Sequence, residues 1–89
     1  MMGQYDIPNA HLKALDVVIN RPKAAAYRAP GAPASAFCME TAMDELAEKL
    51  GMDPLEFRLM NSGKEGSRRV TGPVNPLVGY IGTLQAAKD

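Results

Sequence analysis

Apolar positions recur at spacings of three and four through "PASAFCMETAMDELAEKLG", where Met39, Met43, Leu46, Ala47 and Leu50 fall on one stripe. That pattern predicts an amphipathic helix over about 33–50. Pro33 suits its first turn, and Gly51 suits the left-handed position just past its end. Glu45 precedes Lys49 by one helical turn, a surface pair worth ~0.3 kcal/mol. "MDPLEFRLMN" then spells a second helix start, predicted over about 54–61. Asp53 caps, Pro54 takes the first position, Glu56 completes the box, and Met52 staples against Phe57.

The remaining segments carry other patterns. Met1 to Gly3 read as a start or an expression scar. From Leu12 to Ile19 the apolar residues partly alternate, then run together as Val17-Val18-Ile19 before Asn20 and Pro22, which predicts a short strand buried on both faces. Ala24 to Arg28 is a second candidate strand, weakened by its alanines. "GKEGSRRVTGPVNPLVGY" is punctuated by Gly63, Gly66, Gly72, Gly79, Pro73 and Pro76, and predicts irregular chain. "YIGTLQAAKD" allows a final helical turn or two with Tyr80, Ile81 and Leu84 on one side. The expected class is therefore α+β: short strands, an amphipathic helix, a short capped helix and an irregular C-terminal segment.

Composition narrows the function. The 89 residues allow one small domain, 1–89, with a marginal core. Aromatics are only 6% and methionine is frequent, so the core is soft unless it packs against more protein. Ten basic and ten acidic residues cancel, which offers no footprint for nucleic acid or an anionic membrane. The pair Arg68-Arg69 is too short for a basic patch and reads as solvated surface. Cys38 alone excludes an internal disulfide and a cysteine cluster. With no secretion signal and no apolar run of membrane-spanning length, a soluble cytoplasmic protein is expected.

Little of the residue chemistry is catalytic. His11 has no partner for a metal site, and Cys38, without a histidine nearby in sequence, reads as a buried small hydrophobe. Glu40, Asp44, Glu45 and Glu48 read as the exposed face of the first helix. No phosphate-binding glycine loop is present. No catalytic residue and no metal ligand can be named. One loop survives this screen. In "AAAYRAPGAP", Arg28 has no acidic neighbour closer in sequence than Asp16 or Glu40, and glycine with two prolines presets the path that follows. Two readings stay open: a turn whose arginine reaches solvent, or a rigid loop presenting backbone N–H groups and a guanidinium to an oxygen-rich anion.

The order "YDIPN", "DVVIN", "AAAYRAPGAPASAFCME", "MDELAEKLGMDPLEFRLMN", "GPVNPLVGYIGTLQAAK" resembles the molybdopterin-binding large subunits of the xanthine dehydrogenase/aldehyde oxidase family of molybdenum hydroxylases. It covers nearly the whole chain after Gly3. Carbon monoxide dehydrogenase and 4-hydroxybenzoyl-CoA reductase large subunits are similar. Because such subunits are far longer, the resemblance implies a piece of a larger molybdopterin-binding domain.

The resemblance implies that the arginine loop lines a molybdenum–molybdopterin cofactor in the parent enzyme. Cofactor contact falls to Tyr27, Arg28 and Gly31, and the edge of the substrate pocket to Pro30. The family often carries Arg-Gly-aromatic-Gly here; this chain has Arg28-Ala29-Pro30-Gly31. Pro30 stands where purine-oxidising members stack an aromatic on substrate, so a purine-specific parent is not implied. Ile19 stands where threonine is common, a change with no functional account. The implied partners are the remainder of the large subunit and iron–sulfur and flavin units elsewhere. The isolated chain is expected to hold no cofactor tightly and to be inactive. The alternative is a stand-alone α+β interaction module without catalysis, self-associating through its apolar stripe.

Overall fold

A computed structural model describes residues 3–88. It contains helices α1 (Ala32–Leu50), α2 (Pro54–Asn61) and α3 (Tyr80–Lys88). Met1 and Met2, read above as part of a start or scar, lie outside the described residues.

The first two helices follow their sequence signals closely. α1 ends in a Schellman arrangement: Gly51 adopts φ 65°, its N–H donates to the Glu48 carbonyl at 3.0 Å, and Met52 N–H donates to Ala47 at 2.9 Å. The chain thereby reverses within Gly51–Asp53 and α2 begins at once. Asp53 Oδ1 accepts from the N–H groups of Leu55 and Glu56, both at 2.9 Å. No glycine terminates α2. Asn61 Nδ2 donates to the Phe57 carbonyl and Ser62 Oγ to the Arg58 carbonyl, so side chains satisfy the last turn. The pair Glu45 and Lys49 forms no salt bridge among the described residues.

The core lies where the α1–α2 hairpin meets the N-terminal arm. Met43 and Ala47 of α1, Phe57 of α2 and Tyr5 of the arm are buried, with Ile7, Met39 and Met52 packed around them. Leu46 and Leu50, on the same sequence stripe, stay 48% and 60% exposed. Leu46 sits at the edge of the stripe, whereas Leu50 lies in line with Met43 but is the last residue of α1. The arm is fixed by backbone: Gly63 N–H donates to Gln4 at 2.7 Å and Asp6 N–H to Asn61 at 2.8 Å, forming the antiparallel bridge Tyr5–Ser62.

The stretches 12–19 and 24–28, expected as strands, carry no strand pairing among the described residues. The segment after α2 is irregular but well bonded. Arg68 and Val74 form an isolated bridge, and buried Asn75 receives a 2.5 Å hydrogen bond from Arg69 Nε. α3 then returns to α2, with Lys88 paired to Glu56 and with Tyr80, Ile81 and Leu84 half-buried on one side.

Candidate functional site

The arginine loop is a tight turn feeding a helix. Ala32 N–H donates to the Ala29 carbonyl at 2.8 Å, closing Ala29–Ala32. Pro30 occupies the second position and Gly31, at φ 74° and ψ −11°, the third, the geometry of a type II turn. A Cβ on Gly31 would meet nothing within 4 Å, so the outer side of the turn is open to approach. Ala29 itself has φ 57°. For an alanine this left-handed conformation costs about 1–2 kcal/mol, and the turn imposes it.

Tyr27, Arg28 and Pro30 all project from this loop into solvent, Tyr27 with 88% of its surface exposed. Arg28 forms no salt bridge among the described residues. The loop runs directly into the first turn of the 19-residue α1, which carries no acidic residue. An arginine without a salt bridge among the described residues therefore stands four residues ahead of a helix start that carries no acid. An anionic, oxygen-rich group fits that donor set; a bare metal ion does not, because the loop offers no carboxylate, imidazole or thiolate.

The other sequence candidates fall elsewhere. His11 is exposed. Cys38 is exposed as well, not buried as its type suggests. It lies about 100° around α1 from Met39, on the side away from the arm and α2. Among the described residues no group of three or more histidines, cysteines, aspartates or glutamates is placed to hold a metal.

A polar cluster that the sequence did not announce joins the arm to both helices. Arg58, with a side chain only 14% exposed, contacts Glu40 Oε2 through Nε at 2.7 Å and Asp44 Oδ1 through Nη1 at 2.8 Å. Its Nη2 donates to the Glu40 carbonyl at 3.1 Å, and Nη1 to the Pro54 carbonyl at 3.1 Å. Tyr5 Oη donates to the Glu40 carboxylate at 2.8 Å. Burial first, then the hydrogen bond and charge of Glu40, push the Tyr5 phenol up to about 12. Burial works against the Arg58 charge, but hydrogen bonds and charges of Asp44 and Glu40 outweigh it and raise its pKa.

Glu40 and Asp44 are thus not merely a solvated face, because Glu40 is half-buried under this clamp. Their spacing of one helical turn was the available signal: such a pair converges on a single cation, and Arg58 follows the turn that brings it opposite. Beside the clamp lies a cleft of about 330 Å³, bounded by Tyr5, Glu40, Arg58, Ser62, Tyr80 and Leu84 among others. It is separate from the Arg28 loop.

Comparison with known proteins bears on both features. Residues 1–62 match the model of the molybdopterin cofactor-binding domain family. The nicotinate dehydrogenase large molybdopterin subunit of Eubacterium barkeri is 39% identical over 89 residues, 99% of this chain and 21% of that protein. The aldehyde oxidoreductase of Megalodesulfovibrio gigas is 47% identical over 68 residues, 76% of this chain and 8% of that protein. The xanthine dehydrogenase molybdenum-binding subunit of Escherichia coli O157:H7 is 43% identical over 60 residues, 67% of this chain and 7% of that protein. The chain thus spans about a fifth or less of these relatives. The matched region takes in the arm, the Arg28 loop, α1 and α2, and the chain belongs to the molybdopterin cofactor-binding domain family.

Proposed function

We propose that this chain acts as one part of a molybdenum hydroxylase large subunit of the xanthine dehydrogenase/aldehyde oxidase type, forming one wall of the cofactor pocket. The observation that carries the reading is the Arg28 loop itself: a guanidinium without an ion-pair partner among the described residues, four residues ahead of a helix start without an acid, inside the matched family region. Arg28 would hold an anionic group of the cofactor, Gly31 would let the cofactor approach the backbone, and Tyr27 would cover its flank. Pro30, at the corner of the turn, would border the substrate, where its small saturated ring favours shape contact over stacking.

When bound, the molybdenum cofactor supplies the oxidising centre at which substrate is hydroxylated with oxygen from water. The chain's own residues would orient that group and exclude water. Iron–sulfur and flavin units belong to partner subunits or domains in this reading, and the assembly is cytoplasmic. Among the described residues no helix is long and apolar enough to cross a membrane.

The test grafts this chain into the nicotinate dehydrogenase large subunit in place of its aligned segment, with and without Arg28→Ala. Loss of one charge-assisted contact, about 1.5–3 kcal/mol, lowers molybdenum content or dye-linked turnover at least tenfold. Equal molybdenum content and turnover in both grafts would overturn the reading, and so would turnover by the isolated 89 residues.

Exposed Leu46 and Leu50 favour a second reading, a stand-alone module that self-associates through α1. Sedimentation across a concentration series separates the two, since a strictly monomeric chain rejects the second.

A further inference from the structure

An open apolar run separates the arm from the Arg28 loop. Leu12, Leu15, Val17, Val18 and Ile19 are 75, 76, 70, 98 and 62% exposed. Among the described residues the backbone of 12–19 makes one hydrogen bond, the Ile19 carbonyl accepting from Arg21 N–H at 2.8 Å. In extended chain Lys13, Leu15, Val17 and Ile19 share one face, while Leu12, Ala14, Asp16 and Val18 share the other. The first face is apolar from Leu15 onward, with Lys13 at its start, and the second is mixed. β-Branched residues in this arrangement suit a half-buried pleated surface, and unpaired backbone beside them is a template for another strand. The end of the run, 16–19, and residues 21–24 border a hollow of about 610 Å³.

We propose that Leu12–Ile19 is a strand-addition segment, and that its occupant is a β-strand from the remaining part of the large subunit. The proposal rests on the reading of the chain as one part of such a subunit. Two observations select this occupant. The run lies inside the family match at 1–62, and the chain covers only 21% of the nicotinate dehydrogenase subunit, so most of that polypeptide is available to supply the strand. A second copy paired in parallel register would set Asp16 against Asp16, and the concentration dependence of exchange tests the antiparallel pairing. Pairing would satisfy the free N–H and C=O groups, and cover from the same source would bury Leu15, Val17 and Ile19. The parent domain is then α+β at this point, although the 89 residues alone form no such pairing among the described residues.

Amide hydrogen exchange, read by mass spectrometry, tests this on the free chain and on the graft described above. Peptides covering 12–19 exchange at least a hundredfold more slowly in the graft, and at a concentration-independent rate in the free chain. Val18→Pro leaves the melting of the free chain unchanged but abolishes that slowing. Equal exchange in graft and free chain overturns the proposal, as does slowing in the free chain with its own concentration, the mark of a second copy. Should the graft fail to fold, the natural nicotinate dehydrogenase subunit gives the same readout at the aligned stretch; fast exchange there also overturns it. Molybdenum content of the Arg28→Ala graft reports on the cofactor reading separately, so either idea can fall without the other.

Discussion

Arg58 and Glu40 lock two helices and an arm together through one side chain. The guanidinium meets the Glu40 carboxylate at 2.7 Å and the Glu40 carbonyl at 3.1 Å, and Tyr5 Oη meets the same carboxylate at 2.8 Å. Removing the guanidinium strands Glu40 beneath Tyr5 without its counter-charge. Arg58→Ala is therefore expected to lower stability by about 2–3 kcal/mol, below the range for fully buried pairs because Asp44 is 61% exposed. Arg58→Lys recovers less than half, since one ammonium cannot reproduce the planar fork. Urea unfolding of the three chains checks this, and an unchanged midpoint for Arg58→Ala would refute the clamp.

Ala29→Gly should stabilise the chain. Ala29 holds φ 57°, a conformation open to glycine without Cβ strain. The greater freedom of glycine in the unfolded chain offsets part of the gain, leaving about 0.5–1 kcal/mol. Thermal unfolding decides, and a lower melting temperature would contradict the turn geometry.

Alkaline pH should loosen the arm. The Tyr5 phenol ionises near 10.0 when free and near about 12 in the folded chain. Between those values the unfolded state holds fewer protons than the folded one, so stability is full below pH ~10 and falls as pH rises towards ~12. Tyr5→Phe removes that slope. Urea midpoints at stepped alkaline pH, beside an ultraviolet titration of the phenols, measure both.

Gly63→Ala should destabilise. A Cβ there would lie 3.0 Å from Asn75 Nδ2 and 3.3 Å from the Gln4 carbonyl oxygen. Asn75 is buried and held by Arg69, so it cannot simply swing away, and about 1–2 kcal/mol is lost. A neutral substitution, by chemical denaturation, would show that the loop after α2 is looser than its hydrogen bonds imply.

The legible parts of this molecule were local. Pro33 with Gly51 and Asp53 with Pro54 bounded α1 and α2 nearly to the residue, because caps act within one turn and need no tertiary partner. The type II turn at Pro30-Gly31 was equally open to reading. What the sequence hid depends on pairs distant along the chain. Tyr5 and Glu40 are 35 residues apart, and Glu40 and Arg58 are 18 apart, so no window of sequence contains the clamp. Cys38 misled for a similar reason: its type favours burial, but its angle on α1 points it away from the arm and α2. The Arg28 loop stood out in the residue screen, but its proposed cofactor contact rests on family likeness, since an exposed arginine on a turn has little local signature.

The bridge between Tyr5 and Ser62 also sets an order of assembly. The α1–α2 hairpin closes through Gly51 over a few residues, whereas seating the arm must close a loop running from Tyr5 to Ser62. Closing so long a loop costs on the order of 3–4 kcal/mol in chain entropy. The hairpin therefore forms first, and the arm arrives afterwards as a clasp over a finished pair of helices. On unfolding the sequence runs backwards: the hydrogen bonds from Asp6 to Asn61 and from Gly63 to Gln4 break together, before the Met52–Ala47 bond that closes the hairpin. A protease finds 12–28 already exposed in the folded chain, and the arm is the next segment to open.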